Sequence, residues 1–480
     1  MPPNPEIVKQ AEKRVLAGAV AHGLVFLPQE CYSHKTRAAP AAARDFCDGI
    51  LSAMARTIYI VFSGFCALLV TMGLARFSFA TLIPLAIEAG WFSETQTYTL
   101  GVGNLFGYLA GALLASFSWF RVPSGAAIRA SLCVAALSFF ACSRPGEFAW
   151  FAFFLFAGGM TSGVVLVLAM LNVQSRTPPP HHALIGGILV SGMGGGLILS
   201  GLLVPLLSEL SLTTVWLGLG VTCLALTGLT WAAWSDDTRE SSQTETATVT
   251  TAPARTAAET APAMTATTAT MTAAETVSAD SSVDSAVHRL VVGSYISYSL
   301  SSLSLAMPQV LFIDFVVREL GYGMSTGGLY WQMMGAGAIF GSLCFGRFAD
   351  RFGRGFSYRV ALLALGVTLL VPIASVNVWV LGVMSFCIGV FNFAQVGVLA
   401  ARLRALLGGD EVLSRRVWAR ASFLFGLFQA AGSAFYVWLL VTLGGYEGLF
   451  LLAGGFALLG GVVEFSVARR HGSSELPVCP

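Results

Sequence analysis

Charged residues and glycines are concentrated in one short stretch after a long apolar run, residues 346–354, which read GRFADRFGR. Asp350 can accept hydrogen bonds from the positive N-terminal end of another helix. Arg351 and Arg354 can pair with carboxylates or with lipid phosphate. At an inner membrane face, such a cluster predicts a latch that joins and releases two helical bundles, and a basic loop that only sets topology is the alternative. The predicted cytoplasmic gate consists of Gly346, Asp350, Arg351, Gly353, Arg354 and, from the first half of the chain, Arg121.

Arg76 is the second candidate, because it stands deep inside the first long apolar run. A charge inside a membrane is costly unless a wet cavity, a ligand or a partner compensates it. We therefore expect Arg76 to face a central cavity or an anionic substrate, with a structural ion pair or snorkelling to the interface as the alternatives. The polar residues predicted to line this cavity, or else to form hydrogen bonds between helices, are Asn104, Tyr108, Gln332, Asn392, Gln395 and Gln429.

Carboxylates that could carry a coupling proton are not evident in the apolar runs. Asp314 and Glu464 lie near the ends of two such runs. Residues at that depth usually reach the polar interface. A buried carboxylate for proton coupling is therefore not evident at either position.

The composition excludes an ordinary soluble domain. Of the 480 residues, 55% are hydrophobic and 11% are charged, against about 25% charged residues in a typical globular protein. The net charge of +2 suggests no nucleic-acid partner. The nine Cys show no metal-site spacing and the chain has no phosphate-binding loop. We therefore expect no metal, no cofactor and no enzyme activity.

Apolar runs long enough to cross a bilayer recur along the chain, separated by short breaks that contain charges, Pro or Gly. They predict an all-α membrane protein with twelve transmembrane helices in two six-helix bundles. The predicted spans are 57–87, 96–118, 124–143, 147–173, 183–207, 212–234, 290–316, 326–347, 357–374, 377–401, 417–441 and 446–467.

Three segments differ in composition from these spans. The first segment, residues 1–53, has two interpretations, a disordered leader or a stretch ahead of a true start at Met54. The central bridge is rich in Thr and Ala and has no aromatic residue, which predicts disorder. The predicted domains are a leader (1–53), a first bundle (54–235), a cytoplasmic linker (236–288), a second bundle (289–468) and a tail (469–480).

Arginine is distributed unequally between alternate connections, which predicts that both termini are cytoplasmic. The opposite connections hold only Arg144 and Arg318. The predicted cytoplasmic segments carry Arg121, Arg129, Arg176, Arg347, Arg351, Arg354, Arg359, Arg402, Arg404, Arg415, Arg416, Arg420, Arg469 and Arg470.

Glycines recur on single helix faces, where small residues allow backbones to approach and slide. The predicted packing positions are Gly103, Gly107, Gly111, Gly192 and Gly196. At one constant offset, Gly107, Gly111 and Arg121 correspond to Gly337, Gly341 and Arg351. This correspondence predicts an internal duplication of the two halves.

The charged stretch at 346–354 resembles the signature of the major facilitator superfamily, and other motifs are similar to its YbfB/YjiJ-type transporters. These motifs are GLARF at 73–77, LIP at 82–84, GNLFGYLAG at 103–111, GLYW at 328–331 and FGLFQ at 425–429. The resemblance covers about residues 57–467 and implies two bundles that rock around a central cavity. Phe120 stands where the duplicated latch would have an acid. The implied latch is therefore asymmetric.

These observations predict a secondary active transporter that moves a small organic solute across a membrane by alternating access. A facilitator-fold protein that senses or scaffolds without transport is the alternative, and a membrane enzyme ranks third. The expected partners are a small-molecule substrate, with an organic anion as one candidate, and the lipid bilayer. Protons or another ion are candidates for coupling. The expected location is the plasma or inner membrane.

Reporter fusions test the predicted orientation. Fusions after Arg470 and within the linker should both report a cytoplasmic location, because the arginine asymmetry places both on the same side. A fusion in the connection that carries Arg144 serves as the external control. An external signal from either cytoplasmic fusion would contradict the arrangement of six plus six spans.

Overall fold

The computed structural model describes residues 41–116, 123–177, 182–235, 285–408 and 410–470, and every regular element in these ranges is a helix. Most of the predicted leader and linker lies outside the described residues, as does Arg121. The predicted domain boundaries therefore stay predictions.

Thirteen α-helices account for the described chain, together with two π-helical segments and one short 3₁₀ turn. The π segments are Leu69–Arg76, between α1 and α2, and Phe315–Glu319, after α8, and the 3₁₀ turn Trp231–Trp234 follows α7. The helices are α1 (Ala41–Leu68), α2 (Phe79–Glu88), α3 (Glu94–Ser116), α4 (Ser124–Ala141), α5 (Phe148–Ser175), α6 (His182–Ser208), α7 (Leu212–Thr230), α8 (Ser285–Asp314), α9 (Gly323–Phe352), α10 (Arg354–Ala374), α11 (Val378–Leu406), α12 (Glu411–Leu443) and α13 (Glu447–Arg470).

Every predicted span corresponds to a described helix, and α1, its π segment and α2 together form the first span. Eleven of these spans are long and apolar enough to cross a membrane. The remaining helix, α9, has 30 residues, about 45 Å of helix. It is less apolar because it carries several Gly residues and the charges of its last turns. The predicted class of all-α membrane fold is confirmed.

The charged stretch at 346–354 is helical, whereas the sequence predicted a loop there. Helix α9 continues through Asp350 and Arg351 to Phe352, and α10 begins at Arg354. Gly353 alone separates the two helices, with a φ of 89°. A side chain would strain the backbone at that angle, so glycine allows the chain to reverse within one residue.

Two compact units divide the chain, residues 1–63 and 64–480. The described part of the first unit, residues 41–63, is the beginning of α1. The second unit holds the remaining helices, and every contact described below lies within it.

Helices α3 and α5 pack backbone to backbone at the predicted glycines. A Cβ built on Gly107 would lie 2.1 Å from the carbonyl oxygen of Phe156, and one on Gly111 would lie 2.0 Å from that of Met160. No side chain fits at such distances, so glycine is required at both positions. At Gly103, a Cβ would meet nothing within 4 Å, so the close packing predicted there is not observed.

The second half repeats this packing. A Cβ on Gly337 would lie 2.0 Å from the carbonyl oxygen of Phe386, and one on Gly341 would lie 2.3 Å from that of Val390. All four residues stand at the same offset from their counterparts in α3 and α5. The predicted internal duplication is therefore confirmed in the helix packing.

A third set of glycines lies where the first six spans meet the last six. Helix α6 runs antiparallel to α9, and the built Cβ atoms approach backbone oxygens along its length. The facing pairs are Gly187 with Ser342, Gly194 with Gly335, and Gly201 with Gly328. Within the first half, Gly192 lies against Phe65 and Gly196 against Gly73.

Replacing Gly107 by Ala should destabilise the protein, because the new Cβ must separate α3 from α5. We expect a loss of about 1–3 kcal/mol. The matched control is Gly103→Ala on the same helix, where the space is open and Ala raises helix propensity. Thermal unfolding in detergent measures both variants. Equal stability of the two variants would contradict the packing described here.

Candidate functional site

Arg76 ends the π-helical segment that interrupts the first span. All eight residues of this segment are buried. Gly73 and Gly196 bring the segment against α6, since a Cβ on either glycine would clash with the other's backbone. π-Helical turns are rare and often mark functional sites. Here the turn places a guanidinium deep between helices.

The contacts of the Arg76 guanidinium are all with uncharged groups. Nη2 donates a hydrogen bond to Oε1 of Gln429 on α12. The guanidinium carbon lies 3.9 Å from the ring centroid of Tyr108 on α3, a cation–π distance. Nη1 lies 3.7 Å from the sulfur of Met72. Three of the residues predicted to line a common cavity, Arg76, Tyr108 and Gln429, therefore meet.

Gln309 on α8 extends this group, and sequence reasoning missed it. The Gln429 amide donates to Oε1 of Gln309 over 2.6 Å. Both glutamines belong to the second half of the chain, and Arg76 and Tyr108 belong to the first. We call Arg76, Tyr108, Gln429 and Gln309 the Arg76 centre.

A small cavity adjoins the Arg76 centre between the two halves of the chain. It has Arg76, Asn104 and Gln309 as its polar residues and an apolar lining otherwise. The apolar lining consists of Phe79, Ala80, Ile83, Gly101, Leu105 and Val310.

The charge of Arg76 has no counter-charge among the described residues. Its side chain is 6% exposed. The described ion pairs involve Arg318 and Arg402, and none involves Arg76. Its Nε is buried without a hydrogen-bond partner. The alternative of a structural ion pair therefore finds no partner in the described ranges.

The other predicted cavity residues serve different contacts. Asn104 lines the cavity, but its amide donates to the carbonyl oxygens of Ala75 and Leu155, at 3.1 and 2.9 Å. Gln332 donates to the carbonyl oxygen of Gly201. These two side chains connect helices.

Gln395 and Asn392 lie on α11, apart from the Arg76 contacts. Gln395 is 1% exposed and accepts a 2.5 Å hydrogen bond from Ser301. Asn392 is half-buried. Among the described contacts, neither residue touches the Arg76 centre, so sequence alone grouped them too broadly.

The predicted gate residues lie at the end of α9 and the start of α10. Asp350, Arg351 and Arg354 are exposed, and Gly346 has open space where a Cβ would stand. Arg354 approaches the carbonyl oxygen of Ala401 at 3.5 Å. The role of these residues as a latch stays a prediction.

Asp314 corrects the expectation that no carboxylate is buried. Its side chain is fully buried. Oδ2 accepts hydrogen bonds from the hydroxyls of Tyr98 at 2.6 Å and Tyr446 at 2.5 Å. Arg318 lies 3.5 Å from Oδ1 and also pairs with Glu94. We call these five residues the Asp314 cluster.

Glu464 is the second correction, because it forms a buried ion pair with Arg402. The pair is 2.6 Å long, and its side chains are 1% and 5% exposed. Ser297 donates to the other carboxylate oxygen at 3.0 Å, and its hydroxyl lies 3.3 Å from that of Tyr358. Arg402 therefore lies inside the second bundle, whereas the sequence assigned it to a cytoplasmic connection. All four residues belong to the second bundle, which favours an architectural role.

Glu464→Met should destabilise the protein by about 3–5 kcal/mol, because Arg402 would then be buried without its counter-charge. The double variant Glu464→Met with Arg402→Met should recover most of that loss, since an apolar pair of similar volume replaces the ions. Thermal unfolding in detergent measures both variants. A single variant as stable as the wild type, or a double variant no better than the single, would contradict this assignment.

Comparison with known proteins agrees with this architecture. The family model for the uncharacterised MFS-type transporter YbfB matches residues 68–269 and 256–465. No curated protein matches the chain in sequence. The matched ranges include Arg76, Tyr108, Gln429 and both halves of the duplicated packing. The chain therefore belongs to the YbfB family of MFS-type transporters, with the major facilitator fold that its motifs implied.

Proposed function

We propose that the protein is a secondary active transporter of small organic anions and that Arg76 binds the anionic group. The observation that carries the proposal is a buried guanidinium that contacts both halves of the chain and has no counter-charge in the part of the chain that the structure describes. The family supports transport as the general activity.

Electrostatics favours an anion over a neutral or cationic substrate. A buried charge needs a partner that compensates its desolvation. Gln429 and Tyr108 supply only a dipole and a ring face. A carboxylate can replace Gln429 and take two hydrogen bonds from the planar guanidinium. Nε, which has no partner in this structure, supplies one of the donors for such a pair.

The cavity has a volume of about 10 Å³, room for about one water molecule, so a substrate can occupy it only after the two halves separate. In this proposal, the residues of its lining then contact a small monocarboxylate with an apolar body. One side offers Arg76, and the rest is mainly aliphatic or aromatic, with Phe79, Ile83, Leu105 and Val310. An apolar ligand body gains free energy in such a lining in proportion to the area removed from water. A second carboxylate would find no second cation among the residues that line the cavity.

The position of the Arg76 centre supports alternating access. Its members come from α3 and the first span on one side and from α8 and α12 on the other. A ligand that replaces Gln429 changes a contact between the halves. The backbone contacts of α6 with α9 let the halves rotate with little side-chain interference. In this proposal both termini are cytoplasmic, and Asp350, Arg351 and Arg354 form a gate on that side.

Substitution of Arg76 tests the proposal in proteoliposomes with acetate, lactate and benzoate as separate radiolabelled probes. Arg76→Gln removes the charge and should abolish saturable uptake, because truncating a buried charge pair costs about 2–5 kcal/mol. Arg76→Lys keeps the charge but loses the planar guanidinium that donates two parallel hydrogen bonds, and it should reduce uptake less. Both variants should insert at wild-type abundance. Wild-type uptake by Arg76→Gln at equal abundance would refute the assignment.

Gln429→Glu separates anion binding from an architectural role of Arg76. The substitution places an internal carboxylate on the guanidinium, which should stabilise the fold and compete with the external anion. We expect uptake to fall at least about 30-fold, which corresponds to about 2 kcal/mol, the lower end of the cost of truncating a buried charge pair. Gln96→Glu, the same change at an exposed site on α3, should leave uptake unchanged. Normal uptake by Gln429→Glu would favour the architectural role.

A further inference from the structure

The Asp314 cluster is a second group of polar residues, besides the Arg76 centre, that connects the two halves of the chain. Tyr98 and Glu94 belong to α3, in the first half. Asp314 ends α8, and Arg318 lies in the π segment that follows it. The hydrogen bonds of Asp314 with Tyr98 and the ion pair of Arg318 with Glu94 therefore cross between the halves. Tyr446, just before α13, completes the cluster.

The cluster lies at the end of the protein opposite Asp350. Glu319, the last residue of the π segment, is followed closely by the first residue of α9, and Asp350 lies near the end of that helix. In the predicted orientation, this end faces away from the cytoplasm. The cluster therefore joins α3 to the end of α8 at this end of the protein.

The charges of the cluster do not balance. With its groups ionised, it contains two carboxylates, Asp314 and Glu94, and one cation, Arg318. Glu94 is 57% exposed, so water compensates its charge. Asp314 is fully buried and shares Arg318 at the longer distance of 3.5 Å. The buried site therefore has an excess negative charge that one proton on Asp314 would remove.

Tyr98 and Tyr446 define how a proton would be held. Both hydroxyls donate to the same oxygen, Oδ2, which leaves Oδ1 facing Arg318. A proton on Oδ1 would end the attraction to Arg318 and weaken both tyrosine hydrogen bonds, since a neutral carboxyl is the poorer acceptor. The titratable groups that face Asp314 are these two tyrosines and Arg318, with Glu94 behind it. Across the other described helices packed on α8, no further titratable group forms a hydrogen bond or ion pair with Asp314.

Helix α8 links the Asp314 cluster to the Arg76 centre. Gln309 and Asp314 are separated by about 7.5 Å of helix. Gln309 is bonded to Gln429, the partner of Arg76. A displacement of the end of α8 would therefore move a residue that contacts the proposed substrate site. The empty Arg76 centre has one uncompensated positive charge, and the Asp314 cluster has one excess negative charge.

We propose that Asp314 is a proton-binding site and that the protein carries one proton with each organic anion. This inference rests on the proposed function. The proton enters from the external side and binds Oδ1, and the contact between α3 and α8 loosens. The anion then reaches Arg76. The Arg76 centre with its anion and the Asp314 cluster with its proton are each neutral. The two halves of the loaded protein therefore rearrange without a net buried charge, and transport is electroneutral.

The coupling test uses benzoate, lactate and acetate in proteoliposomes with either an inward proton gradient or equal pH. The wild type should accumulate a probe under the gradient, with no response to a potassium-diffusion potential. Asp314→Asn keeps an oxygen for the tyrosine hydroxyls but cannot titrate. It should lose gradient-driven accumulation while retaining exchange at equal pH. Glu209→Gln removes an exposed carboxylate near the same end of the protein and should behave as the wild type.

Tyr446→Phe gives an independent readout, because it removes one donor to the carboxylate without removing the carboxylate. The charged form is then less stabilised, so the pH profile of uptake should move to higher pH. An architectural role would change abundance or maximal rate without moving the profile. Gradient-driven accumulation by Asp314→Asn, or an unmoved profile in Tyr446→Phe, would overturn the assignment.

Hydrogen–deuterium exchange keeps this inference separate from the proposed function, because it requires no substrate. After correction for intrinsic rates, peptides covering 91–100 and 314–322 should exchange faster at acidic pH in the wild type. In Asp314→Asn they should exchange at a rate independent of pH. Equal pH responses in both proteins would refute Asp314 as the proton site even if anion transport is found. Absence of uptake of every probe, with the pH response intact, would instead refute the proposed substrate class.

Discussion

A buried guanidinium with no counter-charge among the described residues is the constraint on which this structure depends. Removing an ion from water costs several kcal/mol, and a protein offsets that cost with a partner or a ligand. Arg76 has a glutamine oxygen, an aromatic face and a methionine sulfur. These contacts are weaker than an ion pair. In the proposed function, an incoming anion improves the electrostatics of the protein, which is a physical basis for binding.

The surrounding helices hold this charge between two halves that contact each other through backbone. The same glycine packing occurs twice, in α3 with α5 and in α9 with α11. Helices α6 and α9 add a long interface in which small residues again face backbone oxygens. Packing of this kind makes each half rigid and leaves few interlocked side chains between them. In the proposed cycle, polar contacts at the Arg76 centre and the Asp314 cluster determine which arrangement of the halves is favoured.

The sequence was sufficient for the fold and for the burial of Arg76, because length, apolarity and a single deep charge are local properties. Arg76, Tyr108 and Gln429 were also grouped correctly, since each is a polar residue within a span. The hydrogen-bond and ion-pair partners of the buried polar side chains were not predictable. Gln309 comes from another helix, and Asp314 and Glu464 were expected near the interface because they lie close to span ends. Their burial depends on side chains far away in the chain, Tyr98 and Arg402.

The gate motif shows a different limit of sequence reasoning. The predicted spans end at 347 and resume at 357, yet α9 continues almost to the end of the motif and the chain turns at Gly353 alone. One signal was available beforehand. Gly346, Asp350 and Gly353 are spaced three or four residues apart, a helical spacing. The charges therefore lie on the last turns of a long helix, where a rotation of the bundle would move them most.

The central claim is that a substrate carboxylate replaces Gln429 as the partner of Arg76. Electron cryomicroscopy of the protein with the best transported of acetate, lactate and benzoate tests it most directly. We predict density for the anion within hydrogen-bond distance of the Arg76 guanidinium, with the Gln429 amide displaced. An anion bound elsewhere, with the bond from Arg76 to Gln429 intact, would contradict the account.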